Sequence, residues 1–239
     1  MSIRLTLPDQ KLKQKFLSLQ TRQDIADLLE ISDYQLRYHL YISNPHQRYN
    51  DFQIPKRSGG TRQIKAPISP LKIIQRKLNQ VLQAVYQTKN CNHGFVKNKN
   101  VLTNAKEHLR KRFVLNIDLE NFFPSINFGR VRGMFMSRPY NLNPQVATIL
   151  AQICCYENQL PQGAPTSPVI SNMICAKLDD NLLKLARQHR CIYTRYADDI
   201  TFSTYQSKFP EGLAKYNSSG QLEIGSDLAN VIAQNGFTP

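Results

Sequence analysis

Residues 191–204 read CIYTRYADDITFST, two runs of β-branched and aromatic residues that meet at Ala197-Asp198-Asp199. Runs of this kind fill strands, and a small residue followed by acidic ones suits a tight turn, so a β-hairpin with two carboxylates at its tip is expected. Upstream, RFVLNID at 112–118 reads as another short apolar strand, which ends on Asp118. Between them lie a loop, QLPQGAPTSP at 159–168, and a helix opened by Ser167-Pro168, with Ile170, Ile174, Leu178 and Leu182 down one face. A strand, a helix and then a hairpin make an α+β plan, with helices packed behind an antiparallel sheet.

Asp118 at a strand end and Asp198-Asp199 at a hairpin tip can converge despite their separation in sequence. Three clustered carboxylates repel one another, and a divalent cation relieves that cost. Hard Mg²⁺ prefers carboxylate and phosphate oxygens. Two such ions ~3.5–4 Å apart activate an attacking hydroxyl and stabilise a leaving pyrophosphate. Phosphoryl transfer needs little more than positioning and charge stabilisation. An Asp-Asp turn taken alone is more often only a turn; the surrounding residues decide.

The remaining chain reads in shorter pieces. Thr21 with Asp24 and Ser32 with Gln35 look like capping boxes opening short helices. Two helices in series over 21–42 raise a helix-turn-helix regulator as one reading; a helical extension packed on a larger domain is the preferred one. Phe52 and Ile54, then Lys56-Arg57-Ser58-Gly59-Gly60, then Arg62 and Ile64 suggest a hairpin with a basic turn. Ser69-Pro70 supplies an N-cap and a first-turn proline for an amphipathic helix through Ile74, Leu78, Val81 and Val85. A further helix is expected over VLTNAKEHLRKR, and the tail at 209–237 reads as a loop followed by a helix.

Charge adds to this. Thirty-one Lys and Arg against seventeen Asp and Glu give the 239-residue chain a net charge of +14. Such a field attracts polyanions, nucleic acid first among them. No apolar run approaches the ~20 residues of a membrane span, and the N-terminus lacks a signal-peptide stretch, so a soluble cytoplasmic protein without a membrane partner is expected. The five cysteines form no CxxC pair, which favours reduced, mostly buried thiols over zinc or disulfides.

Three stretches in order, NIDLENFFPSI (116–126), LPQGAPTSP (160–168) and YADD (196–199), resemble the polymerase motifs of reverse transcriptases. The resemblance implies a right-hand fold: a helical extension over 1–50, fingers over 51–115, and a palm with part of the fingers over 116–239. It implies Asp118, Asp198 and Asp199 as catalytic, and Asp118, Leu119, Asp198 and Asp199 as the ligands of two Mg²⁺ ions. Phe123 matches an aromatic steric gate against ribose. Gln162 and Gly163 match the loop against the incoming dNTP, and Arg62 the arginine that grips its triphosphate; Lys56, Arg57 and Lys65 are weaker matches.

NAKEH at 104–108 is similar to the NAxxH motif of retron reverse transcriptases, and HGFVKNKNVLTNA, ICCYENQLPQGAPTSP and IYTRYADDIT also look like that group. Asn104 and His108 lie four apart, on one helical face that could meet RNA. The resemblance implies an RNA-directed DNA polymerase that copies a structured noncoding RNA into RNA-linked single-stranded DNA (msDNA). Its partners would be that RNA, the DNA product, dNTPs and an effector protein in antiphage defence. The family continues into a thumb with a VTG motif; this sequence has none, which suggests a truncated chain. Rival expectations are a reverse transcriptase of the group II intron or diversity-generating kind, and a non-catalytic RNA-binding scaffold.

Overall fold

The computed structural model describes residues 3–44, 47–55 and 59–239. In chain order these form α1 (Asp9–Leu17), α2 (Arg22–Leu28), α3 (Asp33–Arg37), a π-helical turn (Tyr38–Ile42), β1 (Tyr49–Pro55), β2 (Thr61–Pro67), α4 (Ser69–Val85) and α5 (Val101–Glu107). Next come β3 (Phe113–Asp118), α6 (Phe122–Ser125), α7 (Phe128–Met136), α8 (Pro144–Cys154), α9 (Ser167–Ile174) and α10 (Ala176–Gln188). The chain closes with β4 (Ile192–Tyr196), β5 (Asp199–Thr204), β6 (Ala214–Tyr216), β7 (Leu222–Ile224) and α11 (Ser226–Gln234). Among the described residues the named strands pair antiparallel and the other regular elements are helical, in keeping with the expected α+β class.

Two compact units share the chain, one built from residues 1–87 and 126–173, the other from 88–125 and 174–239. In the first, α1 packs on α4 and α2 on α8. Phe16 of α1 meets Phe135 and Tyr140, each with ring centroids 6.1 Å away. Both expected capping boxes form, at Thr21 with Asp24 and at Ser32 with Gln35. Helix α2 packs on α3 as well as on α8, and α3, of five residues, runs straight into the π turn. Helix α4 buries Leu71, Ile74, Leu78, Val81, Leu82 and Val85 along one stripe, each contributing roughly 1.5–3 kcal/mol of transfer free energy.

The second unit holds a three-stranded sheet in the order β3-β5-β4. Helix α10 packs against β4, and α11 packs against α10. Tyr193 Oη donates to Asp179 Oδ1 at 2.7 Å, which fixes the face that meets α10.

Several local expectations need correction. Ser69 is the first residue of α4 and Ile68 is its N-cap, because the chain at Ile68 is still extended. The helix drawn through Ile170, Ile174, Leu178 and Leu182 is two helices, α9 and α10, divided at Cys175. Helix α5 stops at Glu107, with His108 as its C-cap, short of the stretch expected to reach Arg112. The tail forms a small hairpin, β6 with β7, ahead of its helix; strands of three residues leave too short a pattern to read. Lys56, Arg57 and Ser58 lie outside the described residues. All five cysteines are free. Among the described residues no helix is long and apolar enough to cross a membrane.

Candidate active site

Antiparallel pairing sets the last residue of β3, Asp118, directly opposite the first residue of β5, Asp199. On its other side Asp199 faces Tyr196, the last residue of β4. Only Ala197 and Asp198 remain to make the turn. Ala197 takes the left-handed conformation, φ 57°, which costs a residue with a Cβ roughly 1–2 kcal/mol. The Leu119 amide donates to the Asp198 carbonyl at 3.2 Å, tying the end of β3 to the turn. All three aspartates are therefore gathered at one end of one sheet.

Strain at the turn persists because its surroundings over-determine it. Arg195 is fully buried and forms a fork with Asp179 of α10, Nε to Oδ1 at 2.8 Å and Nη2 to Oδ2 at 2.9 Å. Its remaining nitrogen, Nη1, donates to the Ala197 carbonyl at 2.9 Å. Burial and the Asp179 charge push the Tyr193 phenol well above its ordinary value, so it remains a donor to that carboxylate. From the other side the loop 91–94 runs alongside β4: the His93 amide donates to the Arg195 carbonyl and the Arg195 amide to that of Cys91, both at 2.8 Å. Gly94 lies so close that an added Cβ would collide with the Ala197 amide nitrogen. Asp179, Arg195 and Gly94 were not singled out from the sequence. The available signal was a carboxylate on the buried stripe of an amphipathic helix and a guanidinium inside an apolar strand.

Asp118 and Asp199 are exposed and Asp198 half-buried. The Asp199 carboxylate reaches solvent, yet partial desolvation, then the charges of Asp198 and Asp118, push its pKa above the usual range. Leu119 is 1% exposed, and since its side chain carries no donor atom, its part in holding a cation would fall to its main-chain carbonyl. Among the described residues no three carboxylate, imidazole or thiol side chains close into a metal cage. Mg²⁺ seldom uses one, being held by one or two carboxylates with waters and substrate phosphates. The mutual repulsion of these oxygens and their open position fit that ion.

Phe123, on α6, is half-buried, its ring 6.3 Å from Phe95 and 5.2 Å from the buried Phe122. Asn104 is half-buried on α5, with its Oδ1 buried and without a partner among the described residues. His108, expected to face RNA, is 8% exposed instead. Arg62, Gln162 and Gly163 belong to the first unit. There the Lys65 amide donates to the Gln162 carbonyl at 2.8 Å, and a Cβ on Gly163, φ 119°, would come 3.0 Å from Ile64 Cγ2 and 3.2 Å from the Lys65 carbonyl. The loop is thereby pinned to β2, where Arg62 is exposed and Lys65 pairs with Glu157.

Burial lowers the His108 pKa below its ordinary 6.5, outweighing the nearby Glu107 charge. The native protein then binds fewer protons than the unfolded chain once pH falls below ~6.5, and stability drops through that range. His108→Gln is expected to flatten this acid limb. Melting temperatures taken from pH 7.5 to 5.5 should fall less steeply in the variant; parallel curves would refute it.

Comparison with known proteins agrees with the geometry. The family profile described as reverse transcriptase (RNA-dependent DNA polymerase) matches residues 54–214, which hold all three aspartates. The retron Mx65 reverse transcriptase of Myxococcus xanthus is 38% identical over 240 residues, 90% of this chain and 56% of the relative. The retron Ec86 reverse transcriptase of Escherichia coli is 38% identical over 187 residues, covering 77% and 57%. The retron Mx162 reverse transcriptase, also from Myxococcus xanthus, is 35% identical over 215 residues, covering 81% and 44%. The chain thus spans about half the length of the curated relatives it matches. It belongs to the reverse transcriptase family.

Proposed function

We propose that this chain is the polymerising part of a retron-type reverse transcriptase, which copies a structured noncoding RNA into RNA-linked single-stranded DNA. The observation that carries this is the in-register pairing of Asp118 with Asp199 beside the Asp198 turn. The family match and the retron names of its relatives support the same reading. Residues 51–115 then correspond to fingers, 116–239 to the palm with part of the fingers, and 1–50 to a helical extension.

Asp118, Asp198 and Asp199, with the Leu119 carbonyl, are the residues that would hold two Mg²⁺ ions. When bound, those ions supply the positive charge that phosphoryl transfer requires. The chain's own contribution is placement. The Arg195 fork and the Gly94 contact keep the turn from moving, and preorganised charge costs no rearrangement as the reaction proceeds. Phe123 stands as the steric gate, held at an angle by Phe95 and Phe122. Arg62 offers a guanidinium suited to bidentate phosphate contacts. Gln162 and Gly163 are the residues that would meet the incoming dNTP, in a loop that the glycine lets lie close against β2. Partners on this reading are the retron RNA, its DNA product, dNTPs and an effector protein, in cytoplasmic antiphage defence.

The test is magnesium-dependent incorporation of labelled dNTPs by the protein coexpressed with the noncoding RNA encoded beside it. The expected product is shortened by RNase without being destroyed. DNA free of attached RNA would point to the intron or diversity-generating kind. RNA binding with no synthesis would leave a scaffold.

A further inference from the structure

Side chains alternate across a sheet, so with Tyr193 and Arg195 directed toward α10, Thr194 takes the opposite face. Register places Asn116, Thr201 and Thr194 in one row across β3, β5 and β4. Two residues along the strands, about 7 Å away, the next row on that face holds Asp118, Asp199 and Tyr196. Ser203 stands on the other side of the Thr201 row. Thr194, Thr201 and Ser203 are 2%, 6% and 0% exposed, and buried hydroxyls are costly unless paired. Thr201 Oγ1 donates to Asn116 Oδ1 at 3.0 Å.

The other two hydroxyls are taken by one residue. His108 Nδ1 lies 2.6 Å from Ser203 Oγ, and Nε2 lies 2.7 Å from Thr194 Oγ1. Ser203 belongs to β5 and Thr194 to β4, and the two are diagonal neighbours, since Thr194 pairs with Thr201. The imidazole therefore bridges both arms of the hairpin whose turn carries Asp198. A neutral imidazole has one donor and one acceptor, and a hydroxyl can serve as either, so both contacts are satisfied in either tautomer. A slip of one residue would turn Thr194 or Ser203 to the opposite face and break the bridge.

We propose that His108 is a positioning residue: acting through Thr194 and Ser203, it fixes the register of the hairpin that presents Asp198 and Asp199, and it does not itself contact RNA. This rests on the polymerase reading above, for the reaction it serves.

The test uses primer extension on poly(rA)·oligo(dT) with Mg²⁺, comparing wild type, His108→Ala, His108→Gln and the double variant Thr194→Val/Ser203→Ala. A misplacement on the order of 1 Å costs a rate up to about a hundredfold. The kcat of His108→Ala should fall by about ten- to a hundredfold while KM for the template-primer stays within about twofold. His108→Gln, able to keep one of the two bonds, should recover part of the loss. Adding His108→Ala to the double variant should cost little more, because the three residues act as one unit.

A raised KM with unchanged kcat would make His108 an RNA contact and overturn the proposal, as would a double variant with wild-type kcat. If His108→Ala does not fold, the hydroxyl variants decide. If wild type makes no DNA, the polymerase reading fails, and amide hydrogen exchange over residues 194–203 judges the bridge by itself. Faster exchange in the variants upholds it; unchanged exchange rejects it.

Discussion

Asp198→Asn is expected to yield a folded protein that still binds RNA but synthesises DNA roughly ten-thousandfold more slowly, since groups acting as one unit fail together. Asparagine keeps the size of aspartate and its amide oxygen, so the turn at Ala197 has no steric reason to change. What it removes is charge, at the point where Asp118 and Asp199 already repel. Asp199 is held above its usual pKa by desolvation and by these neighbours, so the ionised site costs the fold stability at neutral pH. Without divalent cation the variant should therefore melt no lower than wild type, and by the same logic Mg²⁺ should raise the melting point of wild type more. Single-turnover primer extension beside thermal melting, with and without Mg²⁺, gives both readouts. Synthesis within about tenfold of wild type would remove Asp198 from the chemistry.

Asp179→Ala should be the most damaging change away from the reacting groups. The Asp179–Arg195 pair has no exposed surface on either side chain. Removing one partner of such a pair leaves an uncompensated buried charge and costs about 3–5 kcal/mol. For a chain of this size that is a melting-point loss of roughly 6–20 °C. The Tyr193 hydroxyl loses its acceptor in the same stroke. Urea unfolding of Asp179→Ala against wild type measures the loss. A triple variant, Asp179→Leu/Arg195→Met/Tyr193→Phe, should be less destabilised, because no charge is left buried without its partner. It should nonetheless polymerise poorly, since the Ala197 carbonyl loses the guanidinium that holds it. A single variant as stable as wild type would mean that the pair does not hold the turn.

Much of the site could be read from the sequence because its determinants are local. YADD between two strand-like runs specifies a turn, and the turn brings Asp198 and Asp199 together without help. Asp118 needed more. Only the order of three motifs suggested that it joins them, and the β3–β5 register is where that suggestion meets geometry. Asp179 was missed because Asp179-Asp180 looks like a solvated pair on a helix. In fact Asp180 is exposed and pairs with Lys89, while Asp179 points inward. Adjacent helical positions differ by ~100°, so a charge pair in sequence need not share a fate. His108 is a different case. The spacing from Asn104 suggested one helical face for both, yet His108 is the C-cap beyond the end of α5, and its ring meets the sheet, which spacing alone does not reveal.

The β3–β5 pairing also has a consequence in time. Among the described residues β3 has a single neighbour in its sheet, β5, and Asp118 is synthesised about 80 residues ahead of Asp199. At ~5–20 residues per second, a ribosome takes roughly 4–16 s to cover that distance. For that interval the apolar run FVLNI waits with its central partner not yet made. No nascent chain that ends before β5 can hold the three aspartates together, so the centre is assembled late in the synthesis of this stretch. Until it closes, that unpaired apolar strand is the kind of exposed edge that invites aggregation.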